Sequence, residues 1–263
     1  MDDSAEEPCD PATSTHTSCP IGLRADSIPT NPEFEASYRN QRPFILASKL
    51  TGWPAVHLWS SDQHLRTLPA SSAVRCLYAH DNTNFLKNIL TTAADLDMAD
   101  AVNDVLEQPT GRRAYLRTNL ANFEGSLQQE VDVGAIAEMV NGNDTQIQAC
   151  GAIAAPFKAQ NCGLWISSPG CVTPLHFDLC HGFLCQLRGT KRVVMFAPTD
   201  LRSLYPNSQH STNPNTSQIN YGKWVEGDPE QRALPECQEC RSISGYSATG
   251  RRPLHSTFLV ALG

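Results

Sequence analysis

The sequence predicts a mainly β protein with flanking helices, and three observations predict it. After about residue 160, short β-type runs follow one another at 163–167, 171–177, 183–187 and 192–196, punctuated by Pro, Gly and Asp. Strands this short and this evenly spaced build a sandwich or a barrel. The first half instead mixes isolated strands with segments of helical period. Finally, the chain has 263 residues, 40% of them hydrophobic and 18% charged, enough apolar material for one substantial core.

The elements are justified in order. Residues 1–30 are rich in Ser, Thr, Pro, Asp and Glu and are expected to form a disordered acidic leader. A short helix is expected over 33–38, then a strand over 42–46 with Pro43 near its start. Trp53-Pro54 marks a turn, and Ser60 is placed to cap a helix over 61–68. Residues 74–78 alternate like a strand, residues 84–107 read as mainly helical through Phe85, Leu86, Ile89 and Leu90, residues 113–117 read as a strand, and 127–140 as a helix. The polar stretch 207–220 reads as a loop. Together, 31–160 form a helical and strand part, 161–240 the β core, and 241–263 an atypical tail.

Charge and cysteine content narrow the function. The net charge is −7. Residues 1–40 carry eight acids and two Arg, residues 41–150 twelve acids and eight bases, and residues 151–263 seven acids and ten bases. A broad nucleic-acid surface is therefore not expected, although the C-terminal third can hold a small anion. No apolar run approaches the roughly 20 residues of a membrane span, and the acidic N-terminus has no signal-like apolar region. Ten cysteines in that setting read as reduced thiols of a cytoplasmic or nuclear protein. Cys237 and Cys240 form a lone C-x-x-C, whereas a structural zinc site needs four ligands.

The chemistry concentrates in Thr173-Pro174-Leu175-His176-Phe177-Asp178. On an extended strand, His176 and Asp178 share one face, and an imidazole with a carboxylate supplies two legs of the 2-His-1-carboxylate triad of non-haem iron oxygenases. Downstream come Phe183-Leu184-Cys185-Gln186-Leu187-Arg188-Gly189-Thr190-Lys191-Arg192, then Phe196-Ala197-Pro198 and Leu204-Tyr205-Pro206. Through residues 163–206 this resembles the JmjC, or cupin-like, hydroxylases that use Fe(II) and 2-oxoglutarate. Arg42-Pro43-Phe44, Trp53-Pro54, Trp59-Ser60 and Ala114-Tyr115-Leu116-Arg117 extend a weaker similarity towards the N-terminus.

The resemblance implies a double-stranded β-helix, or jelly roll, with helices packed outside it. It implies that His176 and Asp178 are metal ligands, and that Lys191, Thr173 and Tyr115 bind the far carboxylate of 2-oxoglutarate, with O2 as the second cosubstrate. The family often has Asn six residues after its first metal His. Gly182 stands there, so one contact is missing or moved, with His181 the neighbour placed to take it. Among related proteins the chain looks most like small protein hydroxylases and the tRNA wybutosine hydroxylase type. The implied substrate is a protein side chain or a modified tRNA base. Histone demethylation is less favoured, since the 263 residues hold no chromatin-reading module. A non-catalytic jelly-roll binding module, or pseudoenzyme, is the alternative. A metal-dependent cupin isomerase is a third reading, and it would not need the Thr173–Lys191 anion site.

The resemblance stops at the tail. The family's second metal His lies in a segment like Gly-Asp-x-Leu-Tyr-Ile-Pro-x-x-Trp-Trp-His, which is not present. Codons permitted by residues 250–263, read one base on, spell Gly-Asp-Ala-Leu-Tyr-Ile-Pro-Pro-Phe-Trp-Trp-His-Ser. The expectation is that the chain leaves the family's frame within 241–250, keeps two of three metal ligands, and is left incomplete, with an open sheet edge, at its C-terminus. His255 is the residue positioned to substitute as ligand.

Overall fold

The computed structural model describes residues 27–39, 41–46, 50–79, 92–108, 112–123, 125–141, 162–178, 182–220 and 223, together with the backbone of four strands at 19–20, 24–25, 243–249 and 255–261. Its centre is an eight-stranded sheet. In chain order the strands are β1 (Cys19–Pro20), β2 (Arg24–Ala25), β3 (Ile45–Leu46), β4 (Val74–Ala79), β5 (Thr92–Leu96), β6 (Arg113–Asn119), β7 (Gly163–Ser167), β8 (Gly182–Met195), β9 (Ile243–Thr249) and β10 (His255–Ala261). The large sheet runs β1-β9-β8-β10-β7-β6-β4-β5, and β2 pairs with β3 alone. All neighbours in the large sheet are antiparallel except β1 with β9. The two-residue strands β1 and β2 fall inside the segment expected to be a leader.

Among the described residues six α-helices accompany the sheet: α1 (Asn31–Ser37), α2 (Pro54–Leu58), α3 (Asp62–Arg66), α4 (Met98–Glu107), α5 (Ser126–Glu130) and α6 (Gly134–Asn141). Helix α1 begins at Thr30, whose N–H and hydroxyl both donate to the Glu33 carboxylate at 2.8 Å, a contact that holds the Glu33 pKa below its ordinary value. Helix α4 buries Met98, Ala101, Val102 and Val105, the i, i+3, i+4, i+7 stripe of an amphipathic helix. That stripe packs on Cys76, Ala114, Leu116, Leu164 and Ile166, the inward residues of β4, β6 and β7. Each large side chain so buried contributes about 1.5–3 kcal/mol. Alternation then sends Arg75, Tyr115, Arg117 and Trp165 to the opposite face of the sheet.

Several sequence expectations are corrected. Strand β3 is only two residues long, because Pro43 has no N–H to give a ladder. Ser61, not Ser60, caps α3: its hydroxyl accepts the His64 N–H, while Ser60 Oγ donates to the His57 carbonyl. The segment read as one helix over 84–107 holds strand β5 followed by α4, with 84–91 outside the described residues. Residues 127–140 split into α5 and α6, because the Asp132 side chain accepts the Gly134 N–H and opens a second helix. The runs at 183–187 and 192–196 are one 14-residue strand, β8, bent where Gly189 takes a φ of 77°. Its first half pairs with β10 and its second with β9. Residues 171–177 are not a strand: Pro174 interrupts the ladder, and among the described residues the segment's one ladder pairing is an isolated bridge from His176 to Thr216. The expected open edge near the tail is filled, since β10 lies between β7 and β8. Among the described residues no helix is long and apolar enough to cross a membrane.

Candidate active site

The His176-x-Asp178 segment follows β7 and is pinned from residues far along the chain. Phe177 N–H donates to the Asn215 carbonyl at 3.0 Å, and Asn215 Nδ2 donates back to the Phe177 carbonyl at 2.9 Å. Ser217 N–H donates to the Leu175 carbonyl at 2.8 Å. The polar stretch 207–220 therefore acts as a splint for the segment. Sequence reading missed this role, and no local signal marks it.

Two interactions orient the pair itself. His176 Nδ1 lies 2.8 Å from the Pro174 carbonyl oxygen. A carbonyl only accepts, so Nδ1 carries a proton, and Nε2 is the nitrogen whose lone pair the neutral ring offers. That nitrogen faces Asp178 Oδ1 at 3.8 Å, with the two side chains 33% and 45% exposed. The distance lets one ion touch both, and a backbone carbonyl holding the far nitrogen is the usual device for aiming a metal-binding histidine. The same-face placement expected of a strand is thus reached by an extended segment carrying one bridge. Among the described residues, no group of three His, Cys, Asp or Glu side chains stands together as a complete metal cage.

Of the residues expected to bind an anion, the structure brings Tyr115 and Thr173 into contact and links Lys191 to the same segment through Cys171. The Tyr115 side chain, on β6, hydrogen-bonds that of Thr173. Burial pushes the Tyr115 phenol up to about 12, against the downward pull of Thr173 and Arg117. Lys191, two residues past the β8 bend, is half-buried, and burial draws its pKa below the ordinary lysine value. No carboxylate neutralises it among the described residues. The residue between these groups is Cys171, missed in the sequence reading. Its thiol donates to the Ala114 carbonyl at 3.6 Å. Burial pushes it up to about 12, while Arg113 and Lys191 pull it down.

The turn that delivers Cys171 and Thr173 is built with care for every polar group. Ser168 is fully buried, yet its hydroxyl accepts the Ala114 N–H and donates to the Val105 carbonyl at 2.8 Å. Gly170 follows with a φ of 74°, which favours glycine. Its carbonyl accepts from Arg113, and a Cβ there would strike the guanidinium. His181, Cys237 and Cys240 lie outside the described residues. The backbone of His255 is paired with Ser167, in the register row of Tyr115.

A mainly β frame with a His-x-Asp pair, and a phenol, a hydroxyl and a half-buried ammonium linked through the segment that leads into that pair, are features of a cupin-type domain. A profile of the cupin-like domain matches residues 30–244, and the chain belongs to that family. The chain is 26% identical over 238 residues to Jumonji C domain-containing protein 5 of Drosophila melanogaster, covering 86% of this chain and 52% of that protein. It is 24% identical over 252 residues to Lysine-specific demethylase JMJ32 of Arabidopsis thaliana, covering 89% and 71%. JmjC domain-containing protein D of Dictyostelium discoideum is 37% identical over 79 residues, covering 30% and 16%. The chain thus spans about half the length of the Drosophila relative and less of the Dictyostelium one. JmjC members of the family use Fe(II) and 2-oxoglutarate.

Proposed function

We propose that this chain is an Fe(II)- and 2-oxoglutarate-dependent oxygenase domain that hydroxylates a protein side chain or a modified tRNA base. The observation that carries the reading is that Tyr115 bonds Thr173, and Lys191 interacts with Cys171, on the one segment that leads into the His176–Asp178 pair. The donor set suits the groups. Imidazole and carboxylate fit a ferrous ion. An unneutralised ammonium with two hydroxyls fits the far carboxylate of a dicarboxylic acid.

Bound iron with 2-oxoglutarate and O2 would supply the oxidising chemistry, the keto acid leaving as succinate and CO2 with one oxygen atom in the succinate and the other in the hydroxylated product. The chain's own residues supply position. His176 offers Nε2 because Pro174 occupies Nδ1. Asp178 brings a negative charge to the same point. Lys191 sits where burial has already removed much of its water, so an arriving carboxylate meets a poorly hydrated cation and is held strongly. Tyr115 stays protonated at neutral pH and can donate. Free thiols at Cys76, Cys162, Cys171 and Cys185 support a reducing, cytoplasmic or nuclear location.

The test is Fe(II)- and ascorbate-dependent succinate release from 2-oxoglutarate, run on this chain and on one whose tail is restored to the shifted frame. We expect both to bind 2-oxoglutarate through Lys191, and the restored chain to release succinate. No binding by either overturns the proposal. A second reading, a non-catalytic jelly-roll binding module, is favoured by one observation: no third His, Cys, Asp or Glu joins His176 and Asp178 among the described residues. Binding without release in both chains would select it.

A further inference from the structure

The sheet face that carries Tyr115 also carries a row of charge that the cosubstrate site does not use. Strand register sets Asp95, Arg75, Arg117 and Trp165 side by side across β5, β4, β6 and β7. The row is two residues along from Tyr115, about 7 Å on the same face. It faces away from α4, since the residues between, Cys76, Leu116 and Ile166, are buried in the core.

The charges in this row do not balance. Arg75 pairs with Asp95 at 3.2 Å, with both side chains more than half exposed. Arg117 is exposed, stands directly across the strand from Arg75, and meets no carboxylate among the described residues. Like charges placed opposite one another on a sheet disfavour the fold, and Asp95 offsets only one of the two. On the other side of Arg117 lies Trp165, half-buried, its indole laid along the strand over Gly163, where a Cβ would meet the ring at 2.4 Å. The Arg117 guanidinium offers a planar fork to a carboxylate, and the indole of the neighbouring strand offers an apolar surface further along the same face.

We infer that the Arg75–Arg117–Trp165 row is a substrate subsite for an acidic side chain, Asp or Glu, of a polypeptide. One surplus positive charge suits one carboxylate. Tracking a nucleic-acid backbone needs several cations in line, and the chain as a whole carries −7. The subsite rests on the oxygenase reading for its relation to the reacting centre, and it decides between that reading's two substrate classes in favour of protein.

The experiment measures binding without turnover. Three labelled peptides, identical except for Glu, Gln or Lys at the variable positions, are titrated by fluorescence anisotropy against the full chain at low salt, beside a single-stranded RNA oligonucleotide. The Glu peptide is expected to bind about tenfold more tightly than the Gln peptide. In Arg117→Glu, which can pair with Arg75 and so keep its strand, the order inverts to favour Lys. Arg117→Gln abolishes the preference without inverting it. Lys191→Ala leaves the preference intact. An unchanged order in Arg117→Glu, a preference lost in Lys191→Ala, or tighter RNA binding that Arg117→Glu removes, each overturns the proposal. Binding of 2-oxoglutarate is read separately on the same samples. Its absence with the peptide preference intact would fell the oxygenase reading and leave the acidic subsite standing.

Discussion

The side chains of Tyr115 and Thr173 share a hydrogen bond, and that bond joins strand β6 to the segment three residues ahead of His176. It holds two hydroxyls together, and Lys191, on β8, interacts with Cys171 of the same segment. Lys191→Ala is expected to raise the 2-oxoglutarate concentration for half-saturation by about tenfold or more, since a charge-assisted contact is lost. Thr173→Ala and Tyr115→Phe should each have smaller effects. The measurement is 2-oxoglutarate-dependent protection against thermal unfolding. Equal protection of wild type and Lys191→Ala would remove Lys191 from the site.

Metal affinity should depend on the splint as well as the ligands. His176→Ala and Asp178→Ala are expected to abolish Fe(II) binding. Asn215→Ala touches neither ligand side chain, but it removes the bond from Asn215 Nδ2 to the Phe177 carbonyl, between the two. Loss of such a positioning group costs about 10–100-fold in metal affinity. Anaerobic Fe(II) titration reads it. Asn215→Asp keeps the shape without the donor and should behave like Asn215→Ala; full affinity in both would deny Asn215 a positioning role.

What was legible in the sequence follows from how locally each feature is encoded. His176 and Asp178 are two residues apart, and Thr173 lies three before them, so a short string carries half the site. Strands β4, β6 and β7 were readable because Val74, Cys76, Ala114, Leu116, Leu164 and Ile166 alternate strictly with polar or half-buried neighbours. Strand β5 was not, because Thr92-Ala93-Ala94-Asp95-Leu96 has little β propensity and is a strand only through its pairing with β4. The splint from Asn215 to Phe177, the placing of Cys171 beside Lys191, and the Arg75–Arg117 row all depend on which segments meet in space. No window of sequence contains them.

Stability should fall as pH rises through the alkaline range. In the folded chain burial holds the thiols of Cys162, Cys171 and Cys185 up at about 11, about 12 and about 12, and the Tyr115 phenol at about 12. Their ordinary values are 9.0 for the thiols and 10.0 for the phenol. Between those limits the unfolded chain has released protons that the folded chain still holds, so unfolding is favoured increasingly from about pH 9 to about pH 12. The contribution is fully present below about pH 9. Urea midpoints across this range measure it, and Cys185→Ala should make the decline shallower. A midpoint that does not move with pH would mean these groups are not buried as described.

The bend in β8 should depend on one ion pair with a buried guanidinium. Arg188 precedes Gly189, and its guanidinium donates to Asp62 Oδ1 at 2.7 Å and to the Trp59 carbonyl at 3.2 Å. The Arg188 side chain is only 7% exposed, whereas that of Asp62 is 43% exposed. The two partners are therefore unequal. Asp62→Ala leaves a buried guanidinium with Trp59 alone, at a cost of about 1–3 kcal/mol. Arg188→Ala also empties its space against α2 and α3 and should cost more, about 3 kcal/mol or above. Arg188→Met, which fills the space without the charge, should recover part of that loss. Because Lys191 lies two residues beyond the bend, Arg188→Ala should also weaken 2-oxoglutarate binding, while Arg188→Met weakens it less. Urea denaturation of the two single variants and the double variant gives the coupling energy directly. Additive losses would show that Arg188 and Asp62 act independently and that the bend is set by Gly189 alone.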